Sequence, residues 1–285
     1  MNRLLGEKIA IVSPKPQTTR NRILGVVTRD VETPEGISSV QLVFIDTPGY
    51  HKPRNKLDVL MTDSAKKSIG DVDAVLFVTQ PGAEITQSER ELLSLIIANG
   101  QPVVMALNKI DLLSDKKRLI PEIAAFSGIC DFKSVVPVSA KTGDGIEILR
   151  AELEALGIPG EHMFPDDTLT DQPEKVICGE IIREKLLLYL DREVPHGTAV
   201  SIDIFHERDD GIVDIDATVF CEKQSHKGII IGNKGSMLKK ISTSARIDIE
   251  RFIDCKVNLR CWVKVKDDWR NNARVISDLG YRADS

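Results

Sequence analysis

Asn108-Lys109-Ile110-Asp111 closes an apolar run, and its residue types suit one task. The Asp carboxylate can accept two hydrogen bonds from the adjacent N1 and N2 donors of a guanine ring. Adenine lacks that donor pair, so base choice can rest on one residue. The Asn can tie neighbouring loops together, and the Lys stem can lie over the ring. Two further strings carry related chemistry. Asp46-Thr47-Pro48-Gly49, followed by Tyr50, offers a carboxylate to Mg2+, commonly through water, and a glycine amide to a terminal phosphate oxygen, an approach only Gly permits. Ser139-Ala140-Lys141 offers a backbone amide to the guanine O6 acceptor and small residues that let the loop close over the base. Taken singly, each string is also an ordinary loop: Asp-Thr-Pro-Gly is a good turn, and Asn-Lys-Ile-Asp is a polar exit from a core strand. The argument lies in their order, DxxG, NKxD, SAK, each at the C-terminal end of an apolar run.

Those runs are Val40–Asp46, Asp73–Thr79, Pro102–Asn108 and Ser134–Ser139, which read as buried strands. Helical periodicity fills Ser88–Gly100 and Asp115–Gly128, each ending at a Gly C-cap signal. Strand–helix alternation predicts an α/β fold with a mostly parallel sheet covered by helices, and ligands of such sheets bind beyond the carboxyl ends of the strands. Upstream, Glu7–Ser13 and Arg22–Asp30 are expected as an edge strand pair with a loop between.

The 285 residues allow one large domain or two ordinary ones. A hydrophobic fraction of 42% with 28% charged residues is that of a soluble globular protein. No apolar stretch reaches the length of a membrane span. The five cysteines form no CxxC pair and are read as reduced thiols, and the five histidines have no zinc-ligand spacing. Charge is unevenly spread. Lys223–Arg274 holds thirteen Lys and Arg against five Asp and Glu, a surplus of +8, so the rest of the chain carries −13 of the total −5. An acidic body with a basic C-terminal region suggests two domains, one of which meets a polyanion.

The second half has its own texture. Gly157–Glu174 is rich in Pro, Gly and Asp and reads as a linker. Glu180–Val194 is predicted as an amphipathic helix stopped by Pro195. Thr198–Lys223 alternates on both sides of Asp209-Asp210-Gly211, a β-hairpin. A helix from about Ser236 to Phe252, a strand at Val257–Lys266 and a last short helix at Trp269–Gly280 complete it. Ile231-Gly232-Asn233-Lys234-Gly235 contains GxxG inside the +8 segment. A corner between helices also needs glycines. In KH domains, though, such a loop clamps a single-stranded RNA backbone, its glycines allowing close approach and its Lys meeting phosphate. The order α-β-β-α-α-β suits the type II variant of that domain.

A GxxxxGK[S/T] phosphate loop, preceded by a strand, is expected upstream of the three nucleotide motifs and does not occur in the sequence. Asn2–Ser13 reads as the tail of the helix that such a loop opens. The expectation is that this polypeptide binds GTP poorly or not at all, and that two neighbouring strands keep unpaired edges beside an open apolar groove.

At this point the chain resembles the Era-type GTPases, in which a GTPase domain precedes a KH domain. Lys15–Gly25 is similar to their first switch, Asp46–Pro53 to their second, Glu180–Leu187 and Ile230–Gly235 to their KH signature, and Trp262–Trp269 to a further family string. The resemblance covers nearly the whole chain. It implies domains at 1–158 and 175–285 joined by a linker at 159–174, GTP/GDP and Mg2+ as ligands, and hydrolysis of GTP to GDP. It further implies binding to small-subunit ribosomal RNA during assembly of the small ribosomal subunit, in the cytoplasm. Gln17, Thr18, Thr19, Arg20 and Asn21 would form the switch, with Thr19 in preference to Thr18 meeting Mg2+ and the γ-phosphate alongside Asp46. Thr47, Pro48, Gly49 and Tyr50 would face the phosphates. Asn108, Lys109, Ile110, Asp111, Ser139, Ala140 and Lys141 would hold guanine, and Ile231, Gly232, Asn233, Lys234 and Gly235 would grip RNA. Tyr50 stands where many GTPases carry a catalytic Gln, so no catalytic residue is assigned. The alternative is an RNA-binding KH protein whose GTPase half is a relic. The basic C-terminal face also raises peripheral contact with a membrane.

Overall fold

The computed structural model describes residues 1–15, 17–34, 36–82 and 84–281, without the side chain of Thr33. The order of elements is α1 (Asn2–Leu5), β1 (Ile23–Thr33), β2 (Gly36–Asp46), α2 (Lys56–Gly70), β3 (Val75–Thr79), α3 (Gln87–Asn99), β4 (Val103–Asn108), α4 (Leu119–Ser127), β5 (Ser134–Val138), α5 (Ile146–Glu154), α6 (Glu174–Tyr189), β6 (Ala199–Glu207), β7 (Val213–Cys221), α7 (Gln224–Ile231), α8 (Ser236–Ile253), β8 (Val257–Val265) and α9 (Ala273–Asp278).

β3, β4 and β5 form a parallel sheet with β4 in the middle. Both faces of β4 are covered, which explains its unbroken apolar run. Val103, Met105 and Leu107 enter one core with Leu93, Ile96 and Phe126. Val104 and Ala106 enter another with Val136, Ile146 and Leu149. β1 and β2 make a separate antiparallel pair, so β2 and β3 each keep one edge with no strand beside it among the described residues. Leu42 and Phe44 of β2 and Leu76 of β3 nevertheless pack on the same core.

In the C-terminal half, β6, β7 and β8 form a mixed sheet, with β6 antiparallel and β8 parallel to β7. Ile182, Leu186, Ile215, Ala217, Val219, Ile241 and Ala245 build its core, and Leu5, Ile9 and Ile23 from the first half join it. A smaller cluster joins Leu57 and Met61 of α2 to Ala199, Trp269, Ile276 and Tyr281. The two halves are therefore packed together through apolar contacts. No helix among the described residues is long and apolar enough to cross a membrane.

Several expectations need correction. Residues 7–13 form no strand; β1 pairs with β2 instead. The reason is local. Asn2 Oδ1 accepts from the amides of Ile9 and Ala10, at 3.1 and 2.9 Å, and Glu184 accepts from that of Val12 at 2.8 Å. Side-chain acceptors thus take the donors a ladder would use. α6 starts at Glu174 and ends at Tyr189, short of Pro195. Gly100 ends α3 in the left-handed region (φ 80°), whereas Gly128 stays right-handed (φ −72°). Asp115–Gly128 divides into a 3-10 turn and α4, and Trp269–Gly280 likewise into a 3-10 turn and α9.

Candidate functional site

The guanine-type loops meet at one edge of the parallel sheet. β4 delivers Asn108 beside Val138, the last residue of β5. Asn108 Oδ1 accepts from the Lys109 amide at 2.8 Å and the Ala140 amide at 3.0 Å, tying the two loops together. Ser139, fully buried, donates its hydroxyl to Asp111 Oδ1 at 2.7 Å. Lys109 adopts φ 72° and reaches Gln80 Oε1 at 2.8 Å. Ile110 is the apolar anchor, buried in the core under α3 and α4. Lys141 is exposed. The third strand of contact comes from Arg3 in α1, whose guanidinium donates to the carbonyls of Ala140 and Lys141 at 2.8 and 2.7 Å. Gly145 closes this corner. At φ 75°, a Cβ on it would lie 2.3 Å from the Pro137 carbonyl oxygen, so only glycine fits.

A second constellation lies at the end of β2. Thr19 donates its hydroxyl to Asp46 Oδ2 at 3.0 Å. Burial raises the Asp46 carboxyl above its usual range, partly offset by the nearby Met1 amino group and by the Thr19 hydroxyl. Gln17, at φ 60°, donates to Asp58 Oδ1 at 3.2 Å and contacts His51 Nε2 at 3.0 Å. His51 Nδ1 lies 2.8 Å from the Gly49 carbonyl oxygen. The two switch-like segments are therefore joined through His51 and the buried carboxylate of Asp58. Thr47 is half-buried, Pro48 buried and Gly49 exposed. Tyr50 holds Lys66 over its ring at 5.9 Å. Asn21 is half-buried. Thr18 and Arg20 face the C-terminal half, Thr18 through its carbonyl to Arg183 and Arg20 through the carbonyls of His196 and Thr198.

The GxxG corner is a third, separate place. Ile231 ends α7, Gly232 turns at φ 72°, Asn233 and Lys234 are exposed, and Gly235 (φ 80°) precedes α8. A Cβ on Gly232 would lie 2.7 Å from Met237 Cβ. Six non-glycine residues among those described have positive φ, and three of them are Gln17, Lys109 and Lys234, one in each constellation. Such backbone is held only where its surroundings dictate it. The sequence reading did not single out Arg3, Gln80, Asp58, Gly145 or Arg183. Their partners lie far away in the chain, and only Gly145 carried a local signal.

Residues 1–109 match the family model described as 50S ribosome-binding GTPase, and residues 193–270 match that of the KH domain. The GTPase Era of Ruminiclostridium cellulolyticum is 48% identical, over 99% of this chain and 92% of its own length. That of Caldanaerobacter subterraneus subsp. tengcongensis is 45% identical, over 100% and 93%. Among solved structures, a Tyr-to-Ala variant of Aquifex aeolicus Era bound to GDP·AlF4− superposes with TM-score 0.91 at 32% identity, covering 98% of this chain and 93% of that one. An Era in complex with MgGDPNP and nucleotides 1506–1542 of 16S ribosomal RNA gives 0.90 at 33% identity, covering 98% and 92%. With sequence identity of this order running the length of the chain, and a GTPase model matched ahead of a KH model along it, this protein belongs to the Era family of GTPases.

Proposed function

We propose that this chain is a GTP-binding, ribosomal-RNA-binding factor of small-subunit assembly that hydrolyses GTP to GDP; the 285 residues contain no GxxxxGK[S/T] loop, so the guanine contacts rather than a phosphate cradle carry the affinity of this chain. The observation that carries the nucleotide half is the joint assembly of Asn108, Asp111, Ser139 and Ala140 at one sheet edge, each fixed by another member of the set. Asp111 accepts from the guanine N1 and N2 donors, and the Ala140 loop closes over the base. The small-subunit assignment follows the relative solved with 16S ribosomal RNA rather than the large-subunit name of the N-terminal family model. Full-length identity to GTPases, rather than to the KH half alone, favours this reading over a relic.

Thr19 and Asp46 are the residues that would hold Mg2+. Thr19 Oγ1 and Asp46 Oδ2 lie 3.0 Å apart, joined by a hydrogen bond, which brings together two oxygen donors of the kind Mg2+ takes, the carboxylate acting directly or through water. The ion supplies charge neutralisation at the phosphates. The contacts among Gln17, His51 and Asp58 join the two segments taken as switches, which supports both acting at that end of the site. Lys234 and the α8 N-terminus face the RNA backbone at the GxxG corner.

The test is competition binding. Fluorescent GDP should be displaced by unlabelled GDP or GTP and not by ATP, and a single-stranded oligonucleotide from the 3′ end of small-subunit RNA should bind the same chain. Equal displacement by adenine and guanine nucleotides would sink the nucleotide reading.

A further inference from the structure

Thr19 is bracketed by two residues tied to the KH half of the molecule. On one side the Thr18 carbonyl accepts from Arg183 of α6. On the other, Arg20 donates to the carbonyls of Thr198 and His196, at 2.6 and 2.8 Å. The Arg20 guanidinium also lies 5.9 Å from the Trp269 ring and 6.0 Å from that of Tyr281. Lys15 reaches the Leu190 carbonyl from the same segment. Both arginines are buried, Arg183 at 1% exposure and Arg20 at 4%. Glu180 balances Arg183 at 2.5 Å. Arg20 has no ion pair of its own among the described residues, and burial lowers its pKa. Neighbouring Cα atoms are about 3.8 Å apart. The Thr19 backbone therefore cannot move far without breaking one of the flanking ties, and its hydroxyl is left within reach of Asp46.

We propose that Arg183 and Arg20 are positioning residues for the metal side of the nucleotide site, through which the docked KH half sets Thr19 Oγ1 beside Asp46. The proposal rests on the reading of Thr19 and Asp46 given above. It gives Glu180–Leu187 a role other than RNA contact. Arg183, Glu184 and Lys185 are all buried. Glu184 accepts from the Val12 amide and from Lys8, each at 2.8 Å, and Lys185 pairs with Asp248. Arg183 and Glu184 thus serve the contact between the halves, holding Thr18, Lys8 and Val12 against α6, while Lys185 braces Glu184 and Asp248 within the KH half. Coupling of this kind is reciprocal: whatever favours the docked KH half favours the metal-bound switch, and the converse holds equally. The docked arrangement is shared with the two nucleotide-bound relatives described above.

Hydrogen exchange on the full chain without nucleotide, read by mass spectrometry, tests the ties directly. Arg183→Ala and Arg20→Ala should speed exchange across residues 17–22 by about 10-fold, with Arg183→Lys restoring part of the protection and β7 and β8 unchanged. Unchanged exchange at 17–22 in both Ala variants overturns the proposal. A second arm compares a GTP analogue with Mn2+ against GDP without metal. Arg183→Ala should weaken the first by about 10-fold, within the usual range of coupling between sites, and the second by less than about 2-fold. Equal loss in both would mark general loosening and also overturn it. If the parent chain bound no guanine nucleotide in either arm, the proposed function and the metal claim would fall together. The exchange arm would then report on the ties alone, so the two failures are told apart.

Discussion

Ser139 spends its only hydroxyl proton on Asp111, at 2.7 Å and with no exposure to solvent. The carboxylate that would choose the base is therefore aimed by a residue from another loop. A side-chain hydrogen bond to a charged group contributes about 1.5–3 kcal/mol, so Ser139→Ala should weaken guanine-nucleotide binding by roughly 10-fold or more without changing base preference. Asp111→Asn should do something different. Its amide offers one donor and one acceptor where the carboxylate offers two acceptors, which suits xanthine, whose C2 carries an oxygen. Preference should pass from guanosine to xanthosine diphosphate in competition with a fluorescent analogue. Loss of both nucleotides alike would count against Asp111 as the base reader.

Gly145 is a stability prediction. A Cβ there would meet the Pro137 carbonyl oxygen at 2.3 Å, and its φ of 75° is strained for any L side chain. Backbone rather than a flexible side chain stands in the way. Gly145→Ala should cost about 2–4 kcal/mol, seen as a lower thermal midpoint. Gly143, with φ 93° and open space around it, should cost less when changed to Ala, because only the backbone term applies.

How much of this was legible in sequence depends on where the partners lie. The four strands from Val40 to Ser139 were readable because apolar run and flanking polar loop coincide. α2 was not singled out. Its buried face includes Asp58, Thr62, Ser64 and Ser68, so polarity and burial disagree along it. α6 was expected as an amphipathic helix, but not the burial of its Arg183, Glu184 and Lys185. Thr18 lies 165 positions from Arg183 in the chain, and no local pattern can announce such a contact. The Glu7–Ser13 run was apolar enough for a strand, and Asn2 and Glu184 took its amides instead.

Acid should loosen the contact between the halves. Burial works against the Glu184 carboxylate, but Lys8, Lys185 and the Val12 amide overcome it and hold its pKa below the usual 4.5. Lys185 and Lys8 likewise hold Asp248 below 3.8, again against burial. Groups depressed in the folded state stabilise it fully above their unfolded pKa and lose that contribution as pH falls through the folded value. Thermal midpoints should therefore fall below about pH 4.5, and Glu184→Gln should flatten that part of the profile. An identical slope in the variant would show that the cluster contributes nothing to acid lability.

The RNA prediction separates charge from shape at one corner. Lys234 is exposed at φ 48°, between two glycines that let a backbone approach. A lysine contacting phosphate without reading a base contributes through counterion release, so Lys234→Ala should weaken single-stranded RNA binding to a similar degree for every sequence. The slope of log affinity against log salt should shrink by about 0.7. Gly232→Ala acts by shape. Its Cβ would press on Met237 Cβ at 2.7 Å, shifting the start of α8 and closing the approach, so affinity should fall with the salt slope largely kept. Filter binding at several salt concentrations distinguishes the two. If Lys234→Ala changed sequence preference instead of the salt slope, the residue would be reading bases, and the clamp assigned to this corner would be wrong.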